Sequence, residues 1–180
     1  MIFFNNKLKN PVLIKKVFSD KDFYDLKKHI EENNDKLVFD ENFKRYVYNS
    51  QYLVDNFNKK LEPLAKKIFK NKNIETSYCL YARYQGTLSS LEKHKDLNAN
   101  TYLIDVCINE KTPWPIFVEN KEYVLQENQG LAFLPMEWEH WRNDFPDPEN
   151  NIVEIIMFYF VDKNDLNWQQ NKKIYENYIG

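Results

Sequence analysis

The chain has 180 residues, with 25 Lys and Arg against 27 Asp and Glu, which gives a formal net charge of −2. The acidic and basic residues are interleaved, so nothing in the composition predicts the basic patch that nucleic acid or an anionic membrane surface would require. No stretch approaches the ~18 apolar residues of a membrane-spanning helix, and the N-terminus lacks the apolar run of a signal peptide. We therefore expect a soluble, cytoplasmic protein with neither a nucleic-acid nor a membrane partner. The oligomeric state is unknown from the sequence.

The two cysteines, Cys79 and Cys107, each lie in an apolar, strand-like run. In a cytosolic protein such residues are expected to be reduced core residues. A disulfide between them is the alternative.

Helical patterns dominate the N-terminal part of the chain. Residues 1–18 contain two short apolar runs that could supply one or two edge strands. Ser19 is a suitable N-cap for an amphipathic helix over 20–33. A second apolar stripe predicts a helix over about 50–70, with Pro63 expected to kink or split it.

After residue 72 the apolar period changes from 3.6 to 2, which predicts strands. The predicted strands cover 76–84, 101–108, 114–118, 122–125, 131–134 and 152–161, and a closing helix is expected over 165–178. This order predicts an α+β fold: a double-stranded β-helix (jelly roll) core with the N-terminal helices packed on one sheet. We expect a single domain over 1–180, mainly helical over 1–72, with the jelly-roll core at 73–163 and the C-terminal helix at 164–180.

Two of the three histidines in the chain belong to a metal-binding pattern. Residues i and i+2 of an extended segment point to the same side, so His94 and Asp96 can offer an imidazole and a carboxylate to one point. His140, after a later strand, would complete a face of three ligands. Two histidines and one carboxylate leave open coordination positions, which is typical of non-haem Fe(II) oxygenases. The other reading is three unrelated polar residues, since HxD is a common pattern.

Segment 82–96 (ARYQGTLSSLEKHKD) resembles the first metal-binding motif of the prolyl-4-hydroxylase-like Fe(II)/2-oxoglutarate-dependent dioxygenases. In that family an RYxxG-type strand leads into HxD. Segment 129–134 (QGLAFL) resembles the strand that runs up to the distal histidine, which 139–142 (EHWR) would carry. The resemblance covers about 76–162.

The resemblance implies a double-stranded β-helix that binds Fe(II) and uses 2-oxoglutarate as co-substrate. His94, Asp96 and His140 would be the metal ligands and the catalytic residues. The reaction would release succinate and CO2 and insert one oxygen atom of O2 into a substrate C–H bond. The expected substrate is a small molecule or a peptide side chain.

One family feature is missing from this chain. The family places an Arg or Lys on the strand after the distal histidine, where it binds the far carboxylate of 2-oxoglutarate, but 148–156 has no basic residue. Arg142 is the preferred substitute and Arg83 the second, because a guanidinium can bind a carboxylate through two hydrogen bonds. Arg142 could instead form a surface ion pair with Asp144 or Glu139, and Arg83 could pair with a core acid.

Three tyrosines could donate a hydroxyl to the bound co-substrate: Tyr81, Tyr84 and Tyr102. Strand alternation puts Tyr81 and Arg83 on one face and Tyr84 on the other, so they cannot all line one cavity. A purely structural role in the core is the alternative reading for each.

Two further functions remain open on the sequence alone. Because 148–156 lacks the basic residue that would bind 2-oxoglutarate, a cupin-like metal enzyme that does not use 2-oxoglutarate is one alternative. A non-catalytic jelly-roll binding module, with accidental His and Asp residues, is the other alternative. The small number of histidines disfavours the first, and the position of all three ligands at predicted strand ends disfavours the second.

Overall fold

The computed structural model describes residues 8–86, 90–96 and 100–177. Eleven strands within these ranges form two antiparallel sheets. The large sheet contains β1 (Val12–Ile14), β2 (Val38–Asp40), β3 (Arg45–Tyr48), β4 (Ile74–Gln85), β6 (Tyr102–Glu110), β9 (Gly130–Phe133) and β11 (Ile152–Asp162). The small sheet contains β5 (Leu91–His94), β7 (Ile116–Val118), β8 (Lys121–Tyr123) and β10 (His140–Arg142).

The strand order is β1-β9-β6-β11-β4-β3-β2 in the large sheet and β5-β10-β7-β8 in the small one. Four α-helices accompany them in the described ranges: α1 (Asp20–Glu32), α2 (Gln51–Leu53), α3 (Lys59–Ile68) and α4 (Leu166–Asn177). A short 3-10 helix, Asn34–Lys36, follows α1. The predicted fold class, an α+β chain with a jelly-roll core, is confirmed. Among the described residues, no helix is both long enough and apolar enough to cross a membrane.

The first helix forms where the sequence predicts it. The Ser19 side chain accepts a hydrogen bond from the Asp22 backbone N–H, which satisfies one of the free donors at the start of α1. The buried residues Phe23, Leu26 and Ile30 recur at helical spacing and form its apolar face. The helix ends at Glu32, one residue before the predicted boundary.

The second predicted helix is continuous but irregular. A π-helical turn over Val54–Asn58 joins α2 to α3, and Pro63 lies inside α3 without ending it. The irregularity therefore precedes the proline, which was expected to be the site of the break.

The long predicted strands are all present, whereas four short ones were not predicted. β2 and β3 arise from the stretch between the two helices, so three strands of the large sheet, β1 to β3, come from the region expected to be mainly helical. β5 and β10 have four and three residues, and they lie where the sequence pattern predicts only the ends of longer strands. The single-domain organisation stays a prediction.

Strand alternation gives the large sheet two different faces. On the outer face, Tyr81 and Ile104 belong to a core shared with the helices, including Leu26 and Phe57. On the inner face, apolar residues of β4, β6, β9 and β11 share a second core with Trp114, Ile116 and Val118. These two faces decide which polar residues can reach the space between the sheets.

Both cysteines are buried free thiols. Cys79 lies in the outer core and Cys107 in the inner core, on opposite faces of the large sheet. Burial raises the pKa of the Cys107 thiol to about 12 and also raises that of Cys79.

We expect thiol titration of the denatured, unreduced protein to count two thiols, and the native protein to react much more slowly. The reason is that buried thiols with a raised pKa contain little thiolate, which is the reactive species. A thiol-specific chromogenic reagent measures both quantities. A count of zero before reduction, rising to two after it, would contradict the free-thiol assignment.

Asn58 connects the π-helical turn to an irregularity in the large sheet. The register of β11 against β4 shifts between Phe158 and Phe160. The fully buried Asn58 donates from Nδ2 to the backbone oxygens of Tyr78 and Tyr159, at 2.9 and 3.3 Å, beside this shift. The Asn58 side chain thus supplies hydrogen-bond donors to two backbone carbonyl groups where the regular pairing of β4 with β11 is interrupted.

Asn58→Ala is expected to lower the free energy of unfolding by roughly 1–3 kcal/mol, because buried carbonyl groups lose their donor. Urea unfolding measures the loss. Asn56→Ala is the matched control from the same turn, since its amide donates to the Tyr52 oxygen in an exposed position. Equal losses in the two variants would argue against a special role for Asn58.

Candidate metal centre

The candidate metal centre forms where β5 pairs with β10. The antiparallel register sets His94 directly opposite His140, and their ring centroids are 4.2 Å apart. Asp96 follows β5, and its backbone N–H donates to the Pro135 oxygen at 2.9 Å. This bond fixes the segment after β5 against the segment after β9, so Asp96 lies beside the two imidazoles.

The three side chains offer a compact set of ligand atoms. One ligand atom from each of His94, Asp96 and His140 lies within 4.8 Å of the others. Oδ1 of Asp96 is 3.5 Å from Nε2 of His94 and 3.4 Å from Nε2 of His140. A single carboxylate oxygen therefore faces both imidazoles.

The second nitrogen of each imidazole is occupied by a backbone oxygen. Nδ1 of His94 is 2.7 Å from the Glu92 oxygen, and Nδ1 of His140 is 3.1 Å from the Trp138 oxygen. A carbonyl oxygen can only accept, so in each ring Nδ1 is the protonated nitrogen. In the neutral rings Nε2 then keeps its lone pair for a metal ion, the usual arrangement of histidine ligands.

Burial and charge both act on this cluster. His140 is buried, and the Asp96 side chain is only 12% exposed. Burial opposes ionisation of Asp96, but hydrogen bonds and charges from His140 and His94 outweigh it, so the pKa of this carboxyl lies below its ordinary value. When the His94 ring is protonated, it can also donate from Nε2 to Asp96, and this interaction raises the pKa of His94. The carboxylate is thus held ionised, which is the state that binds a cation.

The donor set fits ferrous iron. Two imidazole nitrogens and one carboxylate oxygen on one side of an ion suit non-haem Fe(II), which keeps open positions for further ligands. Phe133 packs edge-on against the His140 ring, with centroids 5.1 Å apart, and limits the motion of this ring.

Arg142 lies two residues beyond His140 on β10 and is buried. Its Nη2 donates to Oδ2 of Asp105 at 3.1 Å, and its Nη1 donates to the Trp114 backbone oxygen. The alternative of a surface ion pair with Asp144 or Glu139 is therefore incorrect. Because β10 continues through Trp141, the Arg142 side chain points to the inner side, where it contacts Asp105.

The structure does not bring Arg83, Tyr81 or Tyr102 to the cluster. Tyr81 and Arg83 lie on the outer face, where both donate to Glu154, and Arg83 lines a cavity of about 460 Å³ beside α1. Tyr102 also lies in the outer core, and its hydroxyl accepts from Nδ2 of Asn71 at 3.0 Å. The alternation noted in the sequence separates these residues from the inner face.

Other polar residues of the inner region were not identified from the sequence. Arg45, on the unpredicted β3, donates from Nη1 to the hydroxyl of Tyr84 at 3.0 Å. Its positive charge acts to lower the pKa of His94, against the net rise. Asn100 donates to Asp96 at 3.1 Å. Asp105 had a visible signal, because it is a single acid inside an apolar strand, TYLIDVCI. Arg45 and Asn100 had none.

No protein-family model matches the chain, and no curated protein matches its sequence. Its structure is similar to that of a Pseudomonas putida prolyl-4-hydroxylase, with TM-score 0.65, 12% identity, and coverage of 83% of this chain and 91% of that one. An oxidoreductase of the 2OG-Fe(II) oxygenase family from Burkholderia pseudomallei gives TM-score 0.63, 10% identity, and coverage of 87% and 88%. The chain therefore has the fold of the 2OG-Fe(II) oxygenases, in a prolyl-4-hydroxylase-like form.

A third similar structure is the non-heme alpha-ketoglutarate-dependent epimerase SnoN from nogalamycin biosynthesis. Its TM-score is 0.66 at 9% identity, and the match covers 88% of this chain and 78% of that one. The same fold thus carries more than one reaction, so the fold alone leaves the reaction of this chain open.

Proposed function

We propose that the protein is a non-haem Fe(II)- and 2-oxoglutarate-dependent dioxygenase that hydroxylates a C–H bond of a small molecule or a peptide side chain. The supporting observation is the cluster of His94, Asp96 and His140 within 4.8 Å, in a fold shared with 2OG-Fe(II) oxygenases. His94, Asp96 and His140 would be the iron ligands and the catalytic residues. When bound, the iron would supply oxygen activation coupled to oxidative decarboxylation of the co-substrate.

In this proposal Arg142 binds the C5 carboxylate of 2-oxoglutarate. The buried guanidinium is held from two sides, by Asp105 and by the Trp114 carbonyl, which fixes its plane. A guanidinium carries five N–H donors, so these bonds leave others for a ligand. The outer-face positions of Arg83, Tyr81 and Tyr102 disfavour a co-substrate role for them.

One observation favours the alternative of a cupin-like metal enzyme that does not use 2-oxoglutarate. Asp105 already balances the charge of Arg142, and the 148–156 segment supplies no second cation. A dianionic co-substrate then gains less from Arg142 than from an unpaired arginine. The non-catalytic binding module is less favoured, because three potential ligands converge on one point.

A reducing compartment suits this chain. Both cysteines are buried free thiols, the usual state in cytosolic proteins. A cytoplasmic location is therefore part of the proposal.

Anaerobic titration with Fe(II) is expected to reveal one site, and His94→Ala or Asp96→Ala is expected to abolish measurable binding. Each substitution removes one of three ligands. His29→Ala is the matched control, because His29 stacks on Tyr52 in the helical region and is not part of the cluster. Wild-type iron affinity in both ligand variants would refute the site.

Arg142→Ala is expected to raise the KM for 2-oxoglutarate by roughly 30-fold or more, because it removes the cation that would pair with the C5 carboxylate. Removing one partner of a buried charge pair typically costs ~2–5 kcal/mol. Iron affinity should stay nearly unchanged, because Arg142 is not a ligand. Steady-state formation of succinate gives the KM.

Two controls separate binding from folding. Arg142→Ala/Asp105→Asn removes both buried charges, so recovery of a low KM in this double variant would assign the defect to unpaired Asp105. Arg83→Ala should leave the KM unchanged, because Arg83 lies on the outer face. If neither arginine variant alters the KM, neither Arg142 nor Arg83 binds 2-oxoglutarate. The cupin-like metal enzyme that does not use 2-oxoglutarate then becomes the better-supported function.

A further inference from the structure

The two carboxylate oxygens of Asp96 have different partners. Oδ1 faces the Nε2 atoms of His94 and His140, at 3.5 and 3.4 Å. Oδ2 accepts a hydrogen bond from Nδ2 of Asn100 at 3.1 Å. We propose that Asn100 is a positioning residue of the metal centre, which holds Oδ2 so that Asp96 offers Oδ1 alone to the ion. This inference rests on the metal centre proposed above.

The division between the two oxygens matters for the number of open coordination positions. A carboxylate can bind an ion through one or both oxygens. A hydrogen bond from Asn100 occupies Oδ2 and fixes the rotation of the carboxylate group, which favours binding through one oxygen. One more position then stays open for the other ligands that such a centre needs.

The orientation of the Asn100 amide follows from chemistry. An ionised carboxylate only accepts hydrogen bonds, so the amide nitrogen must be the atom that faces Asp96.

The other end of the Asn100 amide is unusual. Its Oδ1 is buried, and no hydrogen-bond donor contacts it among the described residues. Asn151 shows the contrast: its Oδ1 accepts from the Thr112 N–H, and its Nδ2 donates to the oxygens of Thr112 and Pro146. Asn151 therefore connects backbone segments, whereas the described amide contact of Asn100 is with the metal-ligand carboxylate.

Asp96 is thereby held at two points. Its backbone N–H is bonded to the Pro135 oxygen, and its side chain is bonded to Asn100, just before β6. The backbone bond places the residue, and the Asn100 bond orients its carboxylate. Second partners of this kind typically change metal affinity by ~10–100-fold when they are removed.

The test compares Asn100→Leu and Asn100→Ala with the wild-type full chain. Leucine keeps the number and branching of the side-chain heavy atoms of asparagine but has no donor, so it removes the hydrogen bond without leaving a cavity, whereas alanine removes it without adding bulk. We expect both variants to bind Co2+ ~10–100-fold more weakly than wild type in titration calorimetry. The visible absorption of bound Co2+ should also change, while the Tm of the metal-free protein stays close to that of wild type.

Asn151→Ala is the structural control. It should lower the Tm and leave both the Co2+ affinity and the Co2+ spectrum as in wild type. Wild-type affinity and spectrum in Asn100→Leu would overturn the inference while leaving the metal centre intact. A loss of affinity that only accompanies a large fall in Tm would also overturn it. A wild-type chain that binds no Co2+, Mn2+ or Fe(II) would instead refute the proposed metal centre itself.

Discussion

The pairing of β5 with β10 is the contact on which the candidate site depends. It sets His94 opposite His140, although the two histidines are far apart in the chain. Both strands are very short, so they depend on their surroundings: β10 also pairs with β7, with His140 opposite Val118. A register slip of one residue would turn every side chain of β10 to the opposite face and separate the ligands.

The large sheet determines which polar residues belong to the site. On β4, Tyr81 and Arg83 point outwards to Glu154, whereas Tyr84 points inwards to Arg45. The strand therefore contributes to two polar networks that the sheet itself separates. The outer network joins β4 to β11 beneath α1, and the inner one borders the candidate metal centre.

The space between the sheets contains more charge than a purely apolar jelly-roll core would. Asp105 and Arg142 are both buried and paired with each other, and burial raises the pKa of Asp105 while Arg142 opposes the shift. Buried ion pairs seldom stabilise a core better than apolar residues would, because desolvation offsets their attraction. Under the proposed function, the pair would contribute to ligand binding rather than to stability. Among the described residues, no hydrogen-bond donor contacts Oδ1 of Asp105.

The sequence by itself determined the elements with a long, regular pattern. α1, β4, β6 and β11 were predictable because a capped amphipathic helix and long runs of strand-forming apolar residues are strong local signals. The pairing of His94 with Asp96 was predictable for the same reason, since it depends only on the direction of side chains two residues apart. The distant His140 was identified as a ligand because its flanking segment resembles a known motif.

Tertiary structure alone decided the remaining features. β2, β3, β5 and β10 have three or four residues each, too few for a periodic signal, and they are strands because a neighbour supplies their hydrogen bonds. The same holds for Arg45 and Asp105, whose partners Tyr84 and Arg142 come from other segments of the chain. Arg142 shows the limit most clearly: the sequence offers a carboxylate anchor or, as the alternative, a surface ion pair, and neither reading contains its buried partner Asp105, which the stacking of the two sheets brings to it. A contact between distant segments depends on the whole set of packed strands, which no local pattern contains.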